Sequence, residues 1–198
     1  MQFEDNDPRA NRPITRNYTK TQADPADYIR EVRNWCYTFA DTHGQTMTNE
    51  SEVNGVWNSI LARYYYPYPE YLICPEHWTK DRKGRVDMVI TRINDRKVML
   101  AYEGKKEGQS EAQAVRQMTG YIQSLVKPGD NRIFGMIAVG SVVAFMAADV
   151  DDVRYLKASA SGTTGEVHDN TKRVWMDAQT QSHEIHVVLE YIKAKCRR

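Results

Sequence analysis

The spacing of apolar residues changes along this chain, and each change marks a different kind of element. After Asp24-Pro25 the apolar residues Ile29, Val32, Trp35, Cys36 and Phe39 recur three or four apart until Gly44. That is the period of an amphipathic helix, with Asp24 as its cap and proline in its first turn. A second helix is predicted from Asn49, where Asn49 and Glu52 have capping-box spacing. Its stripe is Val53, Val56, Trp57, Ile60, Leu61 and Tyr64, and "PYPE" breaks it.

Beyond that point the pattern turns extended. "YLICPEHW" reads as a strand, "TKDRKGR" as a basic turn, and residues 85–93 and 97–104 as the two strands of a hairpin. Ser110 can cap a helix running to Val126, which "KPGD" stops. "RIFGMIAVG" and "SVVAFMAAD" are continuous apolar runs between turn residues, the mark of strands buried on both faces. "ASASGTTGEVHDN" reads as a flexible loop, "KRVWMDA" as a last strand and "SHEIHVVLEYIKAKCRR" as a final helix. This order predicts an α/β fold, a central mixed sheet flanked by helices. Residues 1–23 are polar and aperiodic and are expected to be a mobile arm, with 24–198 forming one domain.

Composition narrows the class. A chain of 198 residues with 41% hydrophobic and 27% charged residues suits one soluble globular domain with a sizeable core. No apolar run approaches the roughly 18 residues a membrane span needs, and "MQFEDNDPRANRP" lacks the apolar centre of a secretory signal. Cys36, Cys74 and Cys196 are scattered and odd in number, which excludes a CxxC zinc site and suits a reducing compartment. An intracellular location, cytoplasm or nucleus, is expected. The net charge of +1 selects no partner, but "KDRKGR", Lys105-Lys106 and "KAKCRR" are local cationic groups that could meet phosphates.

The candidate chemistry lies in the hairpin "VDMVITRINDRKVMLAYEGKK". Strand side chains alternate between faces, so Glu103 and Lys105 share one. With a three-residue turn, Asn94 to Arg96, Asp87 falls opposite Glu103; a two-residue turn puts it opposite Tyr102 instead. Facing carboxylates repel and destabilise a sheet unless one is protonated or a cation lies between them. Mg²⁺ or Mn²⁺ suits such oxygen ligands, and Gly104 could add its carbonyl. Lys105 could then orient water or balance charge on a phosphate. Taken alone, an Asp and a Glu-x-Lys more often make a solvated ion pair.

These residues also resemble a family. Asp87, then Glu103-Gly104-Lys105 on the second hairpin strand, then a helix, is similar to the PD-(D/E)XK nuclease superfamily, which has a restriction-endonuclease-like core. "QMTGY" on that helix matches the Gln-x-x-x-Tyr motif of RecB-like members at Gln117 and Tyr121. "NESEVNGVWNSIL", "MLAYEGKK" and "GMIAVGS" look similar to the nuclease-like domains of fungal proteins, and the resemblance spans about residues 45–145. No proline precedes Asp87, and Gly104 stands where the family usually has an apolar residue.

The resemblance implies a metal-dependent nuclease, acting on DNA ahead of RNA. It implies Asp87 and Glu103 as ligands of Mg²⁺ or Mn²⁺, Lys105 aligning water, and Gln117 and Tyr121 positioning helix or substrate. An upstream acid completes the pattern. Glu50 lies on the core-facing stripe of Val53, Asn54, Trp57 and Leu61 and is preferred to Glu52, which points away. Arg82, Lys83, Arg85 and Lys106 are the expected phosphate contacts. The alternative is a nuclease-like module that binds nucleic acid or protein without cutting; a toxin-like effector is a third, weaker option.

Other features carry less. His183 and His186 are spaced for a metal pair but lack a third ligand nearby. "RYYYPYPEY" could stack bases, although tyrosines covering a helix–sheet junction explain it better. His77 and Trp78 either border the site or pack.

Overall fold

The computed structural model describes residues 29, 47, 49–78, 84–126, 132–150, 152–159, 162–168, 174–178 and 180–196. The expected arm at 1–23 and the phosphate contacts Arg82 and Lys83 lie outside these residues, as does most of the helix expected after Asp24. Of that helix only Ile29 is described; it is helical and buried.

Helix α1, Glu50–Ile60, runs on into a π-helical turn at Leu61–Tyr65. The hairpin region follows as β1 (Tyr71–Trp78), β2 (Arg85–Arg92) and β3 (Lys97–Lys105). Helix α2 (Glu111–Leu125) then crosses to β4 (Ile133–Val139), which lies parallel to β3. A parallel neighbour needs such a crossover, because a tight turn only reverses the chain. Among the described residues the other strand pairs are antiparallel, including those of β5 (Val142–Ala148), β6 (Val153–Ala158), β7 (Thr164–Val167) and the two-residue β8 (Met176–Asp177). The strands β1 to β7 lie in sequence order, with β8 against β5. Helix α3 is Ser182–Cys196.

The helices cover both faces of the sheet. Val53, Trp57 and Ile60 of α1 and Ile185, Val188, Leu189 and Ile192 of α3 pack with Ile90, Leu100, Tyr102, Met136 and Phe145. On the other face Ala114, Met118 and Ile122 of α2 pack with Val89, Ala101, Ile137 and Met146. The central strand β4 is buried along its whole length, as its unbroken apolar run requires. The expected class, α/β with a mixed sheet between helices, is the observed one.

Several local expectations change. Ser110 does cap α2, its side chain accepting from the Gln113 amide. Asn49 forms no such cap on α1; its amide instead donates to Glu52 at 3.3 Å, so the capping box is absent. "ASASGTTGEVHDN" is not all loop, because Thr164–Val167 pairs with β6 across a turn at Gly162, whose φ of 75° favours glycine. Strand β6 itself went unpredicted. "KRVWMDA" contributes only the two residues of β8. The tyrosine-rich segment is a junction: Tyr65, Tyr66 and Tyr71 are buried, and Tyr66 meets Tyr71 edge to face.

The hairpin reaches the expected register by another route. Arg92 pairs with Lys97, so the loop is the four residues 93–96 and not three. Arg96 there has a φ of 56°. Register then slips by one between Thr91, opposite Val98, and Ile90, opposite Leu100, leaving Met99 as the extra residue of a β-bulge. One irregularity cancels the other. Met88 sits opposite Tyr102, and the next residue, Asp87, reaches the Gly104 N–H beside Glu103.

Candidate active site

The C-terminal end of β3 carries Glu103 and Lys105 toward the start of α2. Glu103 is 1% exposed, one of two polar or charged residues buried among those described. Its Oε1 lies 2.6 Å from Lys105 Nζ, and Lys105 Nζ lies 3.6 Å from Glu50 Oε1. Glu103 Oε2 is buried with no hydrogen-bond partner. A buried carboxylate oxygen without a partner is penalised by desolvation, offset in part by the Lys105 bond and the Asp87 backbone N–H.

The electrostatics follow from this burial. Burial pushes the Glu103 carboxyl up to about 7; the hydrogen bond from Lys105 pulls the other way, and the negative charge of Asp87 adds to the rise. Burial disfavours the Lys105 charge, yet the bond to Glu103 and the charges of Glu103, Glu50 and Asp87 more than reverse this and raise its pKa. The fully buried Tyr102 phenol is pushed well above its ordinary range, by burial first and then by Asp87, Glu103 and Glu50. All three acids therefore act on one neighbourhood.

Asp87 is half-buried, and its Oδ2 accepts the Gly104 backbone N–H at 2.8 Å. Beside it the edge strand is irregular. Glu76, between Pro75 and His77, has a φ of 50°, and β1 and β2 pair on either side of it. Val86 accordingly packs with Val89 on the α2 face, although strict alternation would put it with Met88.

Gly104 has a packing reason for lacking a side chain. A Cβ there would collide with Asn54 Oδ1 and stand 2.8 Å from the Tyr102 hydroxyl. Helix α1 crosses the strand at that point, and only glycine lets it come so close. Asn54 is thus a site neighbour that the sequence reading did not single out. Its place one turn after Glu50, on the same helical stripe, was the available signal.

The upstream acids separate clearly. Glu50 reaches Lys105, whereas Glu52 is held by Asn49. Glu50 joins through Lys105 and not as part of a three-acid cage. Among the described residues no group of three or more His, Cys, Asp or Glu converges as a metal cage would. Glu50, Lys105, Gln109, Ser110, Gln113 and Gln117 border a pocket of about 200 Å³. Gln109 and Gln113 were not anticipated; Gln113 precedes Gln117 by one turn of α2 and shares its face, while Gln109 lies just before the Ser110 cap.

Gln117 and Tyr121 take different roles. Gln117 edges the pocket, and its amide donates to the Arg85 carbonyl at 3.3 Å. Tyr121 is buried and holds His77 Nδ1 at 2.7 Å, and its hydroxyl is pushed up to about 12 by burial. It braces α2 against the edge strand. Lys106 is exposed just past the strand end. His186 is bound to the Tyr65 hydroxyl at 2.8 Å, and His183 meets it only ring to ring at 6.5 Å, so the pair locks α3 onto the π-helical turn.

The class this fold defines is a restriction-endonuclease-like α/β core. Among solved structures the chain is similar to DrdV, in a cryo-EM structure of its complex with DNA, with a TM-score of 0.54 and 10% identity. That likeness covers 85% of this chain and 14% of the DrdV chain, so this protein spans only a small part of DrdV. It is also similar to the type IIG restriction endonuclease BpuSI, at 13% identity over 87% of this chain and 16% of that one. The TM-score there is 0.37, too low to bear on the fold. Identities this small speak to fold alone. No protein-family model matches the sequence, and no curated protein matches it.

Proposed function

We propose that this chain is a metal-dependent nuclease hydrolysing phosphodiester bonds, with its centre at the end of the β2–β3 hairpin. The observation that carries the reading is Glu103, a carboxyl buried with one oxygen unpartnered, level with a second acid and bonded to a lysine. Asn54 Oδ1 and the Tyr66 hydroxyl are also buried without a partner, so it is the nearby second acid and the lysine, together with the orphan oxygen, that favour a cation-binding carboxylate. Asp87 and Glu103 are the residues that would hold Mg²⁺ or Mn²⁺, a hard ion suited to their oxygens. Such an ion supplies Lewis-acid polarisation of the phosphate and acidifies water.

The rest is work for the chain's own groups. Lys105, kept charged by its acidic neighbours, can place its ammonium against charge developing on the phosphate. Glu50, 3.6 Å from that ammonium, restricts where it points. Gln113 and Gln117 offer amide donors to a phosphate or sugar in the adjoining pocket. Arg85 and Lys106, both exposed, are placed to meet phosphates beside it, and Arg82 and Lys83 extend the cationic stretch in sequence. DNA stands ahead of RNA as substrate because the DrdV structure is of a DNA complex.

The test is incubation of the full chain with single- and double-stranded DNA and RNA in Mg²⁺, Mn²⁺ or EDTA. Products that form with either ion and vanish in EDTA support the reading. Binding without metal-dependent products would favour the non-cutting module, and products that persist in EDTA would contradict a metal-dependent centre.

A further inference from the structure

At the far side of the pocket, where β1 and β2 end together, the surface changes character. Trp78, the last residue of β1, is 54% exposed and pairs with Arg85, the first of β2. The Arg85 guanidinium stands over the indole, 5.6 Å from its centroid. An exposed tryptophan at a sheet edge is costly to leave in water and invites strand-to-strand association. Its surroundings say what would cover it.

The other exposed apolar residues near this hairpin, Tyr68, Leu72 and Ile93, belong to its turn end, since Tyr71 pairs with Arg92 and Leu72 with Thr91. Trp78 stands apart from them, in cationic company. Between Trp78 and Val86 the sequence holds Lys80, Arg82, Lys83 and Arg85 against Asp81 alone. Arg85 also contacts Glu76 at 3.5 Å, but both side chains are open to solvent and the pair is weak. Asp87 lies two residues beyond Arg85 on the same strand, on the order of 7 Å along its backbone. Gln117 holds the Arg85 backbone carbonyl and also lines the Lys105 pocket.

An aromatic face with a guanidinium over it, in a cationic stretch of sequence, complements a polyanion that exposes π faces. Duplex nucleic acid keeps its bases stacked inside; a single strand does not. We propose that Trp78 is a stacking platform for an unpaired base, and that the surface from Trp78 through Arg85 and Gln117 to the pocket binds single-stranded nucleic acid. This rests on the nuclease reading and narrows its substrate to single strands, or to junctions where a strand leaves a duplex. Arg85 supplies both phosphate contact and the second face of the stack.

The experiment measures binding of the full chain in EDTA to a labelled oligothymidylate and to a labelled duplex, for wild type, Trp78→Phe and Trp78→Ala. Stacking on one aromatic side chain changes affinity roughly 5- to 100-fold. Wild type should prefer the single strand, Trp78→Ala should lose that preference by such a factor, and Trp78→Phe should keep most of it. Duplex affinity should move less than about twofold, which a folding defect would not produce. Single-strand affinity unchanged in Trp78→Ala overturns the platform while leaving metal-dependent cleavage standing. A shift in self-association alone overturns it in favour of a protein contact. Failure of wild type to bind the single strand overturns the platform, and the nuclease reading is judged separately by metal-dependent cleavage.

Discussion

The two ends of one hairpin treat a carboxyl in opposite ways. At the turn end, Asp95 accepts two bonds from Arg92, at 3.1 and 2.5 Å, and its pKa is held down to about 2, chiefly by that bond. At the open end, Glu103 also has a cationic partner, at 2.6 Å, yet is driven up to about 7. Burial makes the difference. The Asp95 side chain is 43% exposed and water solvates whatever Arg92 does not, whereas that of Glu103 is 2% exposed with one oxygen unanswered and Asp87 beside it. An ion pair at a turn completes itself; a buried pair with a surplus acid leaves negative charge uncompensated. Groups on one scaffold pushed to opposite pKa values are a frequent sign of chemistry.

The comparison breaks most visibly at the level of activity. Lys105→Ala and Glu103→Gln should each lower metal-dependent cleavage by roughly 100- to 1,000-fold, in the range found when one preorganised electrostatic group is removed. Circular dichroism should show both variants folded. Asp95→Asn should cut like wild type.

Stability against pH sharpens it next. Glu103 has a folded pKa above its unfolded value, so the native state binds the extra proton. Wild type should therefore lose stability as pH rises from about 4.5 to about 7 and stay level above that. Glu103→Gln, neutral throughout, should escape the loss. In EDTA it should exceed wild type by about 3 kcal/mol at pH 8 and match it near pH 4.5, read from urea unfolding. Saturating Mg²⁺ should narrow the gap by stabilising wild type alone.

Packing beside the site comes third. Gly104→Ala sets a methyl group against Asn54 and the Tyr102 hydroxyl and should cost about 1–3 kcal/mol. Adding Asn54→Gly should recover part of that, because the collision is mostly with Asn54. The smallest effect belongs to the turn. The folded pKa of Asp95 is depressed, so its contribution is present above about pH 4 and lost as pH falls toward about 2. Being exposed, it should be worth under about 1 kcal/mol at pH 7. A larger loss in Asp95→Asn would show that the turn helps set register, through the Lys97 N–H that Asp95 accepts at 3.2 Å.

Much of this was legible in the chain because period reveals layers. The unbroken apolar runs of β4 and β5, the stripe of α1 and the Ser110 cap are local signals, and they mark the central strands and the helices beside them. The failures were also physical. Strand β6, "VRYLKA", alternates weakly and ends next to small polar residues, so its pairing with β7 has no strong local signature. Asn49 and Glu52 have capping-box spacing, but their side chains bond each other instead of the helix amides.

At the site, the opposition of Asp87 and Glu103 emerged through a wrong turn length. A four-residue loop and a bulge at Met99 sum to the register that a three-residue loop would have set. A bulge has no sequence signature here, since Met is ordinary in a strand. Gly104 stands where the family usually has an apolar residue, and the reason is not local: α1 lies across it. Tyr121, by spacing a companion of Gln117, turns to His77 instead, a partner 44 residues away that no local pattern predicts.

The most direct measurement is the protonation of Glu103, followed by carbon NMR of its carboxyl across pH in EDTA and again in Mg²⁺. In EDTA the carboxyl should titrate near pH 7; with Mg²⁺ its midpoint should fall below 5 as Asp87 and Glu103 take up the ion. A midpoint near 4.5 that Mg²⁺ leaves unmoved would contradict a cation-demanding centre at this end of the hairpin.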